Sequence, residues 1–246
     1  MRTRGLFWWL YQPYKWLVFA PVEVVITLVL AGFTLILRPI LGARVVSRLT
    51  GVSWARLVSW CTPMKVRVEG RDHVDPQQSY VLVCNHQSHY DVLVLYGWLG
   101  VDFKWVMKRE LRRIPGLGPA CASLGHIFID RSDHQAAIRS LEEAKLRIVD
   151  GTSVMFFPEG TRSPDGRLLR FKRGAFRMAL DLGLPILPLT INGTRGVLPA
   201  RSIDLTPGTA RLVIHPPIPT EGLENRDLPE LMNATKNAIA SSLGTS

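Results

Sequence analysis

Residues 80–91 read YVLVCNHQSHYD, and an apolar run continues through residues 92–98. The first five residues have the length and β-branched character of a buried strand. This predicts that His86 follows a strand end, where loops commonly carry functional side chains. Asp91 precedes the second apolar run, at a position where a helix N-terminus favours a negative charge. The stretch therefore predicts a strand, a short loop and a helix, with a histidine and a carboxylate held across one turn.

His86 and Asp91 together predict a general-base dyad. A carboxylate bonded to one ring nitrogen sets the tautomer and stabilises the imidazolium, and it leaves the other nitrogen free to take a proton from a hydroxyl. The alternative for Asp91 is a helix N-cap, a role that does not exclude the first. For His89 we expect a surface or structural role, because a single base suffices.

A second motif lies far downstream, at residues 156–163, which read FFPEGTRS. Asn85 and His86 with Asp91 after them, followed by this Phe-Pro-Glu-Gly-Thr-Arg sequence, resemble the 1-acylglycerol-3-phosphate acyltransferase family, the lysophosphatidic acid acyltransferases of phospholipid synthesis. Two more blocks resemble that family in the expected order: residues 108–111 (KREL) leading to 125–131 (GHIFIDR), and residues 184–189 (LPILPL). The resemblance covers roughly residues 65–200.

The resemblance implies an enzyme that moves a fatty acyl group from a thioester donor, acyl-CoA or acyl-carrier protein, to the sn-2 hydroxyl of 1-acylglycerol-3-phosphate, giving phosphatidic acid. His86 is then expected to deprotonate the acceptor hydroxyl for direct attack on the thioester. No acyl-enzyme, metal or further cofactor is expected. Acylation of a different lysolipid, such as a lyso-aminolipid, and a non-enzymatic membrane-binding module remain as alternatives.

The resemblance also implies which residues bind the glycerophosphate moiety: Lys108, Arg131, Glu159, Gly160, Thr161 and Arg162. The guanidinium of Arg162 presents a fork of donors that suits phosphate, and the glycine before it lets the backbone approach a ligand. Lys108 and Arg131 each follow a predicted strand, so parallel neighbouring strands would gather both near His86. For Glu159, alignment of the acceptor and anchoring of Arg162 both remain open.

Thirty Lys and Arg residues against twenty Asp and Glu give a formal net charge of +10, which favours a polyanionic partner. No helix-turn-helix cue, zinc-finger spacing or RNA-binding motif accompanies the charge, so a lipid bilayer or a phosphorylated substrate is favoured over nucleic acid. Between residues 167 and 177 a basic run has a single acid nearby. Its side chains would face anionic lipid, the phosphates of coenzyme A, or solvent: Arg167, Arg170, Lys172, Arg173 and Arg177.

Three rival kinds of site fail on the sequence. A Ser-His-Asp hydrolase would use Ser88, but the chain contains no Gly-x-Ser-x-Gly motif. Gly116 and Gly118 lack the third glycine of a dinucleotide-binding loop. A metal site has no second ligand cluster to complete the nearest candidate set, which is Cys84, His86, His89 and Asp91.

Short apolar runs alternate with helical patterns along the chain. The predicted strands are residues 65–68, 80–84, 103–107, 126–129, 154–157, 186–190 and 211–214. The predicted helices are 134–149, with Asp133 as N-cap and Gly151 as its stop, 175–182, ending at Gly183, and 227–243. This alternation indicates the α/β class, with a central mixed, largely parallel sheet flanked by helices.

Residues 16–37 are almost wholly apolar, with Glu23 as the one charge, and the run is long enough to cross a bilayer. Aromatic residues cluster beside it, as they do at membrane interfaces: Trp8, Trp9, Tyr11, Tyr14 and Trp16. We expect residues 1–62 to form a membrane-anchoring helical segment and residues 63–246 to form the α/β acyltransferase domain, with a linker near Thr62 and Pro63.

Similar numbers of cations flank the apolar run on both sides, so the charge pattern does not select an orientation. A single span, a hairpin in one leaflet with both ends cytoplasmic, and a buried core helix all remain open. We expect the chain at the cell membrane, with its catalytic domain on the cytoplasmic side. Cys61, Cys84 and Cys121 are irregularly spaced and indicate no disulfide framework.

Overall fold

Strands and helices alternate through most of the chain, as the hydrophobic pattern predicts. The computed structural model describes residues 6–130, 132–146, 148 and 151–244. Within these ranges seven strands form one sheet: β1 Met64–Glu69, β2 Val81–Cys84, β3 Asp102–Lys108, β4 Ile127–Ile129, β5 Thr152–Phe156, β6 Ile186–Asn192 and β7 Gly208–Ile214. Each overlaps a strand predicted from the sequence, and those predictions are confirmed.

Helices cover both faces of this sheet. They are α1 Leu6–Tyr14, α2 Ala20–Val46, α3 Val52–Cys61, α4 Tyr90–Trp98, α5 Leu117–Ser123, α6 His134–Lys145, α7 Gly174–Leu182, α8 Thr194–Val197 and α9 Leu228–Ser241. Two π-helical turns, Lys15–Phe19 and Ser47–Gly51, join the first three helices into one helical segment, and short 3₁₀ turns form at Arg71–His73 and Arg109–Arg113.

The strand order is β1-β7-β6-β2-β5-β3-β4, and every neighbouring pair is parallel except β6 with β7. The predicted mixed, largely parallel sheet is therefore confirmed. All residues of β2 are buried because helices cover both faces. Leu82 and Cys84 pack in the core shared with α3 and α4, whereas Val81 and Val83 pack in the core shared with α6, α7 and α9.

The parallel strands determine where polar residues gather. Because β2, β3, β5 and β6 run in the same direction, their C-terminal ends meet at one edge of the sheet. Lys108 is the last residue of β3, and the segments that follow β2, β5 and β6 carry His86, Glu159 and Thr194. The edge therefore collects polar side chains from distant parts of the sequence.

The N-terminal helical segment folds back on itself at Gly42. This residue has a φ of 78°, a left-handed conformation that glycine adopts readily and that interrupts the helix. Before and after it, Thr34 Oγ1 lies 2.7 Å from Thr50 Oγ1, and Trp54 Nε1 donates to Thr27 Oγ1 at 3.0 Å. Residues early in α2 thus contact residues late in the segment, so its two halves form an antiparallel hairpin.

The hairpin lies along the α/β domain. Arg38 Nε donates to the Ser123 carbonyl at 3.0 Å, and Leu28 lies close to Gly116 at the start of α5. By length and composition the helical run Trp8–Cys61 could cross a membrane. Only 11 % of its most apolar window is buried, so the alternative of a buried core helix is wrong. The outer face of α2 exposes apolar side chains at intervals of three and four residues: Val22, Val25, Val29, Phe33, Ile36 and Ile40.

At the predicted linker near Thr62 and Pro63, Pro63 is exposed but Thr62 packs into the domain. Thr62 is fully buried, its Oγ1 lies 2.5 Å from Tyr90 Oη, and its backbone N–H donates to Val58 O at 3.2 Å. Ala55 and Val58 of α3 belong to the same core as the sheet. The turn between α3 and β1 is therefore part of the packed domain, because its polar groups are bonded internally.

Two helix boundaries follow the predicted capping residues. Asp133 Oδ1 accepts the backbone N–H of Ala136 at 2.9 Å and caps α6, and Gly183 ends α7 with a φ of 61°. The C-terminal boundary of α6 differs from the prediction, because the helix ends at Lys145 and not at residue 149. Residues 147, 149 and 150 lie outside the described residues.

Candidate active site

His86 stands just beyond the end of β2, at the edge where the parallel strands end. Its Nδ1 lies 2.8 Å from Asp91 Oδ2, the contact that the spacing predicts. Because the carboxylate holds the Nδ1 proton, Nε2 is the nitrogen left to accept another. The imidazole is 16 % exposed, and the carboxylate is fully buried. The pair therefore has the geometry of a general base whose imidazole is accessible from one side only.

The Asp91 carboxylate has a full set of donors. Oδ2 also accepts the backbone N–H groups of Gln87 at 2.7 Å and Ser88 at 2.9 Å. Oδ1 accepts the hydroxyl of Thr194 at 2.5 Å. A buried carboxylate is stable only when its lone pairs are bonded in this way. The same bonds hold the loop rigid, so the position of the His86 ring is set by the backbone as well as by its partner.

The N-cap interpretation of Asp91 is wrong. Helix α4 begins at Tyr90 with His89 as its N-cap residue, which makes no side-chain capping bond. The carboxylate of Asp91 accepts N–H groups that precede the helix, so it organises the loop and does not cap its own helix. His89 is an exposed residue beside this loop. Desolvation of part of its imidazole and the nearby Arg162 guanidinium lower the pKa of the ring.

Thr194 is a part of the site that the sequence did not reveal. It follows β6, where Gly193 turns the chain with a φ of 86°; a Cβ there would fall 2.1 Å from Thr209 O. The threonine is fully buried against Asp91, from which it is 103 residues distant in sequence. Its one sequence signal is its place after a predicted strand, which without the strand order does not indicate a contact.

Glu159 connects the two main motifs. Its Oε1 accepts the backbone N–H of His86 at 2.8 Å, and its Oε2 accepts the backbone N–H of Leu169 at 2.9 Å. The backbone N–H of Ser163 in turn donates to His86 O at 2.7 Å. Burial raises the pKa of the Glu159 carboxyl, and the two N–H donors oppose that shift. The sequence analysis expected Glu159 to align the acceptor or to anchor Arg162. The described contacts of its carboxylate instead join the His86 loop to residues 159–169.

Phe157 sets the orientation of the His86 imidazole, the candidate catalytic base. Its ring stacks on the His86 imidazole with centroids 3.8 Å apart and an interplanar angle of 13°. On its other side Phe157 approaches Trp105, with centroids 5.9 Å apart. The sequence analysis treated Phe157 only as part of a motif, but the structure places it against the imidazole. This packing leaves the ring edge with Nε2 as the reactive part of His86.

The expected cations lie at the mouth of a cleft beside His86. Lys108 and Arg162 line it together with His86 and His89, and the backbone of residues 160–161 forms part of the same wall. This group can bind an anion within reach of the imidazole, because both cations present charged donors. Arg131, the remaining predicted cation, lies outside the described residues. Among the described residues no set of three or more His, Cys, Asp or Glu side chains is arranged to hold a metal ion.

The cleft beside His86 has a volume of about 410 Å³ and becomes apolar away from the imidazole; we call the whole of it the apolar cleft. It runs between the N-terminal hairpin, α4, β3 and α5. Most of its wall is hydrophobic, as a binding site for a hydrocarbon chain requires: Leu30, Ala31, Trp54, Val92, Trp105 and Leu117. The N-terminal hairpin therefore forms one wall of the candidate site.

A buried polar cluster lines the apolar cleft far from His86, near the N-terminal end of β4. Tyr96 Oη lies 2.8 Å from Ser47 Oγ and 3.4 Å from His126 Nε2. The backbone N–H of Trp105 donates to His126 Nδ1 at 3.3 Å. Burial, with a contribution from the Lys104 charge, lowers the pKa of His126 to about 3. The imidazole is therefore neutral at physiological pH, and this part of the cleft carries no charge.

Comparisons with known proteins show similarity to acyltransferases. Residues 65–192 match the sequence profile of the Acyltransferase family. The human 1-acyl-sn-glycerol-3-phosphate acyltransferase alpha is 36 % identical over 177 residues, covering 72 % of this chain and 62 % of the human protein. The Pseudomonas aeruginosa 1-acyl-sn-glycerol-3-phosphate acyltransferase is 34 % identical over 200 residues, covering 79 % of this chain and 77 % of the bacterial protein.

The fold agrees with a solved structure of the same kind. The crystal structure of the 1-acyl-sn-glycerophosphate acyltransferase PlsC from Thermotoga maritima superposes with a TM-score of 0.80 at 28 % identity, covering 98 % of this chain and 95 % of that one. Some relatives are longer, since the matched part spans only 53 % of the Chlamydomonas reinhardtii protein and 62 % of the human one. On the family profile, the identities and the shared fold, the chain belongs to the 1-acyl-sn-glycerol-3-phosphate acyltransferase family.

Proposed function

We propose that the protein transfers a fatty acyl group from a thioester to the sn-2 hydroxyl of 1-acylglycerol-3-phosphate and so produces phosphatidic acid. The observation that carries the proposal is the His86–Asp91 pair, which stands between two cations and the apolar cleft. An acceptor of this class has a phosphate for the cations, a hydroxyl for the base and an acyl chain for an apolar environment. The relatives named above carry the name of this activity.

The imidazole performs both proton transfers in the proposed reaction. His86 Nε2 takes the proton of the acceptor hydroxyl as its oxygen attacks the thioester carbonyl carbon. The tetrahedral intermediate collapses, the carbon–sulfur bond breaks, and the leaving thiolate takes the proton from the imidazolium. Asp91 accepts the hydrogen bond from Nδ1 and stabilises the imidazolium across the 2.8 Å contact. No acyl-enzyme forms, because the hydroxyl attacks the donor directly.

The phosphate of the acceptor is bound by fixed positive charge. We assign it to Arg162 and Lys108, which line the mouth of the cleft near His86. The backbone of Gly160 and Thr161 borders the same space and lets a ligand approach closely. Arg131 remains a prediction from the family resemblance. Glu159 serves the site indirectly, because its carboxylate is bonded to backbone N–H groups of the flanking loops.

The N-terminal hairpin is assigned to the surface of the cytoplasmic leaflet. Its outer face exposes the apolar stripe of α2, and its inner face forms a wall of the apolar cleft. A helix that is apolar on both faces can bury its outer face in lipid while its inner face packs on the domain. Moving a long acyl chain fully into water costs about 0.8 kcal/mol per methylene, so a cleft beside the bilayer lets the chain stay in an apolar environment.

A donor and acceptor panel with the purified protein tests the reaction. We expect thiol release and phosphatidic acid formation with 1-acylglycerol-3-phosphate, and weaker activity with lysolipids that lack a terminal phosphate. Equal or better acylation of a lyso-aminolipid would transfer the proposal to that acceptor class. Thiol release without an acylated lipid would indicate hydrolysis and contradict the proposed transfer.

Cysteine labelling in intact cells tests the topology. In a background without the native cysteines, Thr3→Cys and Val45→Cys are labelled with a membrane-impermeant reagent. We expect neither site to react from outside, because the hairpin keeps both on the cytoplasmic side. Reaction of one site alone from outside would place residues 3 and 45 on opposite sides of the bilayer and contradict the one-sided hairpin.

A further inference from the structure

A second cleft opens on the opposite face of the sheet, and nothing in the proposed reaction so far uses it. It has a volume of about 1130 Å³ and lies between α6, α7 and α9. We call it the basic cleft, because four exposed cations line it: Arg170, Lys172, Arg173 and Arg177. Beneath them its floor is apolar, formed in part by Phe156, Phe171, Met178 and Leu228. We propose that the basic cleft binds the phosphorylated nucleotide of an acyl-CoA donor.

The charges of the basic cleft are not neutralised by the protein. Lys145 on its far wall is paired with Glu142 at 2.6 Å and Asp181 at 3.0 Å. By contrast, none of the four cations that define the cleft forms an ion pair with another residue in the part of the chain that the structure describes. Arg173 and Arg177 stand one helical turn apart, so their like charges repel in the free protein. A bound polyanion removes this repulsion and accepts their charged hydrogen bonds.

The basic cleft communicates with the reacting centre. Phe157 and Gly160 line both clefts, and Phe157 stacks on the His86 ring. Lys172 lies directly over Gly160, where an added Cβ would fall 2.8 Å from Lys172 Nζ. Gly160 also has a φ of 71°, so a larger residue there would be strained as well as obstructive. A ligand with its thioester at His86 can therefore cross this ridge and reach the cations with its far end.

The position of the basic cleft favours a water-soluble occupant over a lipid head group. Among the described residues none of α1, α2 or α3 lines it, and it opens on the face of the sheet that does not carry the apolar stripe. The nucleotide of coenzyme A carries a 3′-phosphate and a 5′-diphosphate, which suit the forked donors of arginine. Its adenine ring can pack on the apolar floor. The acyl chain then occupies the apolar cleft, and the pantetheine arm spans the ridge.

The inference rests on the proposed acyl transfer, and paired donors separate the two. Palmitoyl-CoA and palmitoyl-pantetheine carry the same thioester, but only the first has the nucleotide. In the doubly substituted protein Arg173→Ala/Arg177→Ala we expect the KM for palmitoyl-CoA to rise about ten- to a hundredfold, because hydrogen bonds between charged groups are lost. The KM for palmitoyl-pantetheine and the KM for the acceptor should not change. Arg226→Ala is the matched control, since Arg226 is an exposed arginine that does not line the cleft.

The wild-type protein supplies an independent measurement. Palmitoyl-3′-dephospho-CoA should have a higher KM than palmitoyl-CoA, and adenosine 3′,5′-bisphosphate should inhibit competitively against palmitoyl-CoA. Equal KM values for the two coenzyme A donors, or an equal loss with palmitoyl-pantetheine in the double variant, would overturn the inference. A variant that loses transfer from acyl-carrier protein but not from palmitoyl-CoA would assign the cations to a protein donor instead. If the wild-type protein transfers from no thioester, the proposed function itself fails.

Discussion

The two clefts meet at Phe157 and Gly160, beside His86, but they differ in position and in the balance of apolar and charged side chains. The apolar cleft lies beside the N-terminal hairpin and is lined mostly by hydrophobic side chains, whereas the basic cleft faces away from the hairpin and carries unpaired cations. The sheet separates them because successive residues of a strand point to opposite faces, as Met155 and Phe156 of β5 do. A substrate with an apolar end and a charged end can therefore place its central bond at the sheet edge, the one place that both clefts reach.

The largest expected effect comes from removing His86, which stands beside the junction of the two clefts. His86→Ala should lower kcat by about 10²–10⁴-fold with every acyl chain and every acceptor, because the general base is lost. The thermal unfolding temperature should stay near that of the wild type, since the ring is partly exposed. His89→Ala is the control, and it should cause a much smaller loss. Near-normal transfer by His86→Ala would contradict the proposed mechanism.

A second substitution tests whether the acceptor phosphate belongs at the mouth of the apolar cleft. Arg162→Ala should raise the KM for 1-acylglycerol-3-phosphate about ten- to a hundredfold, because hydrogen bonds to a charged group contribute roughly 1.5–3 kcal/mol. Arg162→Lys should restore only part of the loss, since the forked geometry is missing. The KM for the donor should be unchanged. A change in the KM for the donor alone would indicate that Arg162 binds the acyl donor and not the acceptor phosphate.

A third prediction concerns the neutral imidazole of His126, which lines the part of the apolar cleft far from His86. The pKa of His126 is about 3 in the folded protein and 6.5 ordinarily, so between these values the unfolded chain binds a proton that the folded protein does not. The contribution of His126 to the free energy of unfolding is fully present above pH 6.5. It decreases as the pH falls below this value, by up to about 1.4 kcal/mol per pH unit. Urea unfolding at pH 7 and pH 5 should show a loss of about 2 kcal/mol more in the wild type than in His126→Gln. Equal losses would contradict the assignment.

The smallest effect is expected at the contact behind the dyad. Thr194→Val removes one of the hydrogen bonds that hold the Asp91 carboxylate in position, and the less ordered dyad should lower kcat about fivefold, equivalent to about 1 kcal/mol. The carboxylate then becomes more basic and stabilises the imidazolium more strongly, so the acidic limb of the pH–rate profile should move to higher pH. Thr235→Val, which removes a buried hydroxyl from α9, is the matched control. An unmoved profile would limit Thr194 to a packing role.

Much of this protein follows from local sequence patterns. The seven strands are visible as short apolar runs because burial on both faces selects β-branched and aliphatic residues. The contact between His86 and Asp91 is predictable because only five positions separate them and a single turn joins them. Capping by Asp133 and Gly183 follows from the preferences of those residues at helix ends. In each case the deciding interactions lie within a few residues along the chain.

The remaining features depend on which distant segments meet. The strand order brings Thr194 to Asp91, directs both oxygens of Glu159 to backbone N–H groups, and puts the basic run on the face opposite the hairpin. Gly42 is one of many glycines until the fold shows that the N-terminal segment reverses there. Hydrophobic periodicity reports whether a residue is buried, but it does not say against which partner. The sequence by itself therefore determined the elements and the dyad, and the tertiary structure decided their partners, because those contacts join residues far apart in the chain.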